Sequence, residues 1–448
     1  MTYRTLRTAL VAATALTLIA APAAAQQIDR IVAFGDSYAD DDNFFQLAGI
    51  NPISGTSGVY TSGRFSGGTN YIDTLGQLLD VPIDNFAIGG ARADNSNQNN
   101  PFTWGFTYEV DQFLNVGTQS NVFPATSSFA EGDLLAVSIG GNDARNYQLT
   151  GGTLAGAPGP ANVASGFATT NLNRLVAAGA PTISFLAGDT GRLPEIAGNT
   201  AAQGIRSSFS TTFNAAMQST LSGYAANGVI VHYLDLNRVL DNISAGASAY
   251  GITNGLVCPA LPNPTCVVNS SGYLFYADQL HLTSDGFAIV ARYVAAQLAA
   301  PLTLQAPSEA GMNVGQQFGR TLTGRLDLGS PRDGDMPEGL AAYIVGDSYA
   351  RTIGASRGNQ PFDSDSVGVT VGLEYGFGSG VIGVAGNVSR PKSDFETGAA
   401  DIKSRSTQLG VYAGFGVAGA FAQGYFGYGW DRHDLPRPPP HSKKLLLL

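Results

Sequence analysis

The chain contains four histidines, His232, His281, His433 and His441, and that scarcity narrows any search for a general base. His232 lies inside the apolar run GVIVHYLDLN, where a structural role is expected. His433 and His441 fall in the C-terminal stretch where the sequence pattern breaks down. His281, in YADQLHLTSDG, remains, and Asp278 precedes it by three residues. On one turn the two side chains approach each other, so the carboxylate can orient the imidazole and stabilise its charged form. Such a base needs a nucleophile. Ser37 sits where the apolar run IVAF meets GDS, and Gly35 permits a tight turn that projects the hydroxyl from the end of a strand. The segment is not a G-x-S-x-G elbow, because Ala39 occupies the last position. Acyl transfer also requires donors for an oxyanion. Gly90, in NFAIGGARA, offers a backbone N–H, and Asn142, in SIGGNDA, offers a side-chain amide. Glycine, serine and asparagine are ordinary loop residues. The set gains meaning because separate strand or helix ends supply the different roles.

The elements that must position these groups follow a strand–helix alternation from 28 to about 300. Short apolar runs end in Gly or Asp: RIVAFGDS, VPIDNFAIGG, DLLAVSIGGND, APTISFLAGD and GVIVHYLDLN. Between them lie NYIDTLGQLLD, ANVASGFATTNLNRLVAAGA and GIRSSFSTTFNAAMQSTLSGYAANG, and HLTSDGFAIVARYVAAQLAAPL reads as a closing helix. This alternation predicts a mainly parallel sheet with helices on both faces, and a site beyond the carboxyl ends of its strands. Phe44, Phe45, Trp104 and Phe106 either build an acyl pocket or fill the core. Residues 301–337, with SPRDGDMPEG, lose the rhythm and read as a linker with a short helix. From 338 to 432 the period changes to two, in strings such as SVGVTVGLEYGFG and STQLGVYAGFGVAG. Strands of about ten residues joined by Gly turns are the pattern of outer-membrane β-barrels. Residues 433–448, with RPPPHSKKLLLL, form an aberrant tail, because a proline triplet does not sit inside a central strand.

The first 25 residues carry Arg4 and Arg7, a short apolar run and APAAA, the pattern of a cleaved export signal. The mature chain is therefore expected to start near Gln26. With 24 basic against 34 acidic residues and a net charge of −10, the chain lacks the basic excess of a nucleic-acid binder. Cys258 and Cys266, in CPALPNPTC, are expected to form a local disulfide in an oxidising compartment; neither a histidine nor a second cysteine pair lies near enough to favour a metal site.

FGDSYADDDNFF, NFAIGGA, GGND and DQLH, in this order and spacing, resemble the four sequence blocks of the GDSL family of SGNH hydrolases over roughly residues 28–300. The resemblance implies a flavodoxin-type parallel sheet with helices on both faces. It implies Ser37 as nucleophile, Asp278 and His281 as the rest of the triad, and Ser37 N–H, Gly90 and Asn142 as the oxyanion hole, with no cofactor. The first block departs from the family by reading GDSY in place of GDSL. Signal, α/β region and barrel-like region together resemble the GDSL autotransporter esterases of Gram-negative bacteria, whose barrel anchors the enzyme in the outer membrane. About five strands precede the tail here, against the eight of the smallest barrels, so the partial antiparallel region is expected to be an incomplete barrel. The implied activity is hydrolysis of small-molecule or lipid carboxylic esters. The alternatives are a carbohydrate acetyl esterase or a lysophospholipase/thioesterase of the same fold, and a non-catalytic surface adhesin. GDSYA occurs again at 346–350, where none of the partner blocks follows, so Ser348 is expected to be a coincidence.

Overall fold

The computed structural model describes residues 27–52, 59–259, 266–267, 269–328, 338–356, 359–396, 400–417 and 420–434. The export signal read at 1–25 and most of the tail lie outside the described residues. The five apolar runs become strands β1 (Arg30–Gly35), β2 (Ile83–Asn85), β3 (Asp133–Ser138), β4 (Thr182–Ala187) and β5 (Ile230–Asp235). All pair in parallel, in the order β2-β1-β3-β4-β5. Alternate residues of each strand point to opposite faces, which divides the core in two. Val32 and Phe34 face one cluster, which contains α3 (Phe106–Phe113), α5 (Pro158–Ala177) and α6 (Thr200–Ala226). Ile31 and Ala33 face the other, with α2 (Tyr71–Leu79), α7 (Leu236–Ala245) and α8 (Ser284–Leu302). Two further helices, α1 (Asn43–Ala48) and α4 (Gly141–Leu149), start just beyond β1 and β3. The chain leaves β1 to one side and returns at β3 on the other, so the two strand ends flank the reversal point at which open α/β sheets place their ligands.

A two-stranded parallel ribbon, β6 (Gly255–Val257) and β7 (Tyr273–Phe275), closes the α/β region ahead of α8. The disulfide joins Cys258 to Cys266 with their Cα atoms 6.0 Å apart. Both half-cystines are buried against Ala277, one residue before Asp278.

The stretch read as a linker is mostly helix: α9 runs from Gln305 to Leu328. Its glycines obscured it, since glycine is a poor helix former, yet two of them admit strand side chains. A Cβ at Gly319 would meet the Tyr425 hydroxyl, and one at Gly311 the Asp431 carboxylate. Around α9 curves an antiparallel sheet in the order β12-β11-β10-β9-β8: β8 (Gly339–Ile353), β9 (Phe362–Gly376), β10 (Gly380–Phe395), β11 (Asp401–Val417) and β12 (Ala420–Asp434). His433, assigned from sequence to the tail, lies in β12, where its Nδ1 meets Ser404 Oγ at 2.7 Å across the β11 register.

The sheet is inverted relative to a water-soluble one. Val367, Val369, Val371, Leu373 and Tyr375 of β9 are exposed, whereas Ser364, Ser366 and Thr370 on its opposite face are buried toward α9. The second GDSYA falls on β8. Ser348 is exposed there, and Asp347 turns inward to accept hydrogen bonds from Thr370 Oγ1 (3.0 Å) and Asn387 Nδ2 (2.9 Å).

Candidate active site

Ser37 occupies a turn closed by Ala39 and Asp40 N–H groups donating to the Asp36 carbonyl (3.0 and 3.1 Å). The turn follows β1 directly, and the Asp36 N–H continues the ladder to the Ser138 carbonyl (2.9 Å). Gly35 is obligatory for this approach: its φ is +123°, and a Cβ would stand 1.9 Å from the Ser138 oxygen. On the far side, β7 leads into a tight loop in which the Tyr276 N–H donates to the His281 carbonyl (2.8 Å) and the Gln279 N–H to Tyr276 (2.9 Å). Thr283 then caps α8 through the Gly286 N–H (3.1 Å). This loop places Asp278 and His281 beside β1.

His281 Nε2 lies 2.6 Å from Ser37 Oγ, and His281 Nδ1 lies 2.6 Å from Asp278 Oδ2. Facing a carboxylate, Nδ1 carries the hydrogen, which leaves the Nε2 lone pair directed at the serine hydroxyl. Asp278 Oδ1 accepts the Leu280 and His281 N–H groups (2.8 and 2.9 Å). Burial alone would raise the Asp278 carboxyl, but the adjacent imidazole and these N–H donors outweigh it, so the group stays below the usual carboxylate range. Asp36, beside the nucleophile, is pushed up to about 6 by burial, against the opposing pull of the Tyr38 N–H, the His281 charge and the Ser138 hydroxyl.

Gly90 and Asn142 come from the ends of the neighbouring segments. Gly90 has φ +81°, and a Cβ there would collide with the side chains of Asn97 and Asn99. Asn142 lies in the first turn of α4 and donates one Nδ2 hydrogen to the Ala91 carbonyl (3.1 Å), leaving its second N–H. Ser37, Asn142 and His281 line one cleft with Thr190, Phe213 and Leu240. The arrangement joins a hydroxyl and a base aimed at it, both opening on a cleft, with a buried carboxylate behind the base. Such a set can perform nucleophilic acyl transfer.

Phe44, Phe45, Trp104 and Phe106 do not line this cleft. Phe44, Phe45 and Phe106 are buried in the core, and Trp104 is half-buried against Phe44 and Phe102. Those segments follow the edge side of the sheet, whereas the cleft opens over the ends of β1, β3, β4 and β5. His232, in β5, is partly buried, and burial holds its imidazole below the ordinary range.

Two buried carboxylates escaped the sequence reading. Glu109, fully buried, accepts the Gly35 N–H (2.7 Å) and the Ile88 N–H (3.2 Å), so it joins the end of β1 to the segment that carries Gly90. Burial holds its carboxyl well above the ordinary value, against the pull of those two N–H groups. Asp40 accepts the Asn43 and Phe44 N–H groups that open α1 (2.7 and 3.1 Å) and also the Gly89 N–H. A charged residue among apolar helix positions, as in FTYEVDQF, is the signal that could have pointed to Glu109. Among the described residues there is no group of three or more His, Cys, Asp or Glu side chains able to hold a metal.

A parallel, doubly wound sheet in the order β2-β1-β3-β4-β5 with a Ser–His–Asp contact chain at its carboxyl edge is a flavodoxin-type α/β layout. More narrowly, residues 31–294 match the GDSL-like lipase/acylhydrolase model over more than half of the chain, and the chain belongs to that family. Residues 345–438 match the autotransporter beta-domain. The protein is therefore a hydrolase exported to the outer membrane or cell surface of a Gram-negative bacterium. No curated protein matches it. Similar solved structures include a carbohydrate esterase (9% identity, covering 60% of this chain and 68% of that chain, TM-score 0.36). Another is an alpha/beta hydrolase enzyme from the metagenome of Lake Arreo, Spain (14% identity, 60% and 94% coverage, TM-score 0.33).

Proposed function

We propose that the chain is a serine carboxylic ester hydrolase, exported and held at the cell surface by its β region, that works through an acyl-enzyme at Ser37. His281 Nε2 takes the Ser37 proton as Oγ attacks the ester carbonyl. The Ser37 and Gly90 N–H groups and the Asn142 amide receive the charge that develops on the carbonyl oxygen. Asp278 holds the hydrogen on Nδ1 and stabilises the imidazolium, which then protonates the departing alcohol. Water, deprotonated by His281, attacks the acyl-enzyme and releases the acid. No step calls for a metal or organic cofactor.

The observation that carries this reading is the continuous contact from Ser37 Oγ through His281 to Asp278, both links at 2.6 Å, at the edge of a cleft. In domain terms the enzyme region spans 26–300 and the surface anchor 338–432, with α9 between them. The test is Ser37→Ala assayed on a series of p-nitrophenyl esters of increasing acyl length. The variant should lose at least about a thousandfold in kcat with an unchanged circular dichroism spectrum. A fluorophosphonate probe should label the parent at Ser37 and not the variant. Retained hydrolysis by the folded variant refutes the assignment, and the length series on the parent defines the acyl preference.

A further inference from the structure

The segment Val59–Tyr60 lies against the loop that carries Asp278 and His281, and tyrosine hydroxyls cross between them in both directions. The Tyr276 hydroxyl donates to the Val59 carbonyl, and the Tyr60 hydroxyl donates to Asp278 Oδ2 at 2.7 Å. That oxygen is the one that His281 Nδ1 contacts. Asp278 thus has four donors: two backbone N–H groups on Oδ1, and the imidazole and Tyr60 on Oδ2. The Tyr60 ring stands edge-on to His281, with centroids 6.2 Å apart, and packs 4.8 Å from Phe65, so the hydroxyl is held in place by its own ring.

We propose that Tyr60 is a positioning residue that acts through Asp278, sharing the charge on Oδ2 so that the carboxylate orients His281 without over-stabilising the imidazolium. The inference rests on the reading of Ser37, His281 and Asp278 proposed above. A hydrogen bond to a carboxylate stabilises its charged form and makes it a weaker acceptor for a second proton. The imidazole that competes for the same oxygen then releases its own proton more readily. The pair is nearly dry, with side-chain exposures of 4% for His281 and 13% for Asp278, so solvent does not dilute the effect. The other titratable or charged groups facing the pair are Asp36 and Tyr38 after β1, Tyr276 on the same loop, Arg145 of α4, and Glu195 beyond β4. Arg145 and Glu195 are paired with each other, and Tyr38 donates to the Leu280 carbonyl (3.2 Å), so Tyr60 is the side-chain hydroxyl on Oδ2.

The experiment compares the detergent-solubilised full chain with Tyr60→Phe and with a variant carrying 3-fluorotyrosine, a more acidic phenol, at position 60. One readout is the pH profile of kcat/KM on a p-nitrophenyl ester. The other is the low-field proton resonance of the His281 Nδ1–H, which needs no turnover. In Tyr60→Phe the acid limb should move up by roughly half a pH unit and the resonance downfield, with KM unchanged. With fluorotyrosine both should move the opposite way. Parent-like limbs and resonances in both variants overturn the proposal and leave Tyr60 a packing residue. If Tyr60→Phe does not fold, the fluorotyrosine arm decides alone. A parent that hydrolyses no ester, while its resonance still shifts with opposite signs, upholds the tie and refutes the proposed activity instead.

Discussion

Ser37 is surrounded by acid: Asp36 precedes it, and Asp40 and Glu109 anchor the segments on either side. Asp36 yields a signed pH prediction. Its folded carboxyl titrates near 6, above the ordinary 3.8, because burial penalises the charge. The native state therefore holds a proton that the unfolded chain has already released. Stability from this group is complete below the ordinary value and is lost as pH rises through about 6. Relative to Asp36→Asn, the parent should lose roughly 2 kcal/mol of unfolding free energy between pH 4 and pH 7. Urea denaturation at the two pH values measures it, and equal slopes for parent and variant would contradict the buried-acid account. At this scale the sequence was informative where a residue type is scarce or its chemistry demanding. Of the five residues named from the sequence, the structure brings Ser37, Asp278 and His281 into one chain of contacts and places Asn142 on the same cleft. Tyr60, Glu109 and Asp40 were not legible, because a tyrosine among 18 or an acid among 34 acquires its role only from the chain segments that fold against it.

Among the elements, the loop between β7 and α8 does the most positioning for its length, and the disulfide braces it. The Cys258 N–H donates to the Phe275 carbonyl (3.0 Å), and Cys258 and Cys266 pack on Ala277. Closing a chain segment with a separation of 8 residues should contribute roughly 2–3 kcal/mol through the unfolded state. Cys258→Ala/Cys266→Ala should lower the denaturation midpoint accordingly and lower kcat, because the two half-cystines hold Ala277, the residue next to Asp278. Dithiothreitol on the parent should reproduce the effect; an unchanged midpoint in the double variant would sink the bracing role. The five parallel strands were readable as short apolar runs ending in Gly or Asp, and the long helices because each repeats an apolar period over many residues. The short helices α1, α3, α4 and α7 were not, since six to ten residues make fewer than three turns; α2, nine residues long, was the exception. α9 was hidden differently: its glycines serve the packing of β12, and intrinsic propensity yields there to tertiary contact.

At the scale of the whole molecule, two solvents are written into one chain. The α/β region hides its apolar residues, whereas the antiparallel sheet displays them: Ile344, Val367 and Phe426 are 73%, 65% and 73% exposed. Inside that sheet Arg325 of α9 pairs with Glu374, which also accepts the Tyr412 hydroxyl (2.7 Å). Apolar outside and polar inside is the order that a lipid surround stabilises, in agreement with the autotransporter match. In water the same face is an association hazard, and β8 and β12 add open strand edges among the described residues. The two regions are joined where α8 ends and α9 begins, with the Gln360 N–H donating to the Leu302 carbonyl (3.4 Å) at the seam. Both core clusters of the enzyme region are complete before that point, their last member being Leu298. A fragment of residues 27–304 should therefore be monomeric without detergent and retain the kcat/KM of the full chain. The full chain should need detergent or liposomes to remain monodisperse. Size-exclusion chromatography with light scattering, followed by the ester assay on each peak, measures both. An aggregated or inactive fragment would mean that α9 and its sheet complete the fold of the enzyme region and do not merely carry it to the membrane.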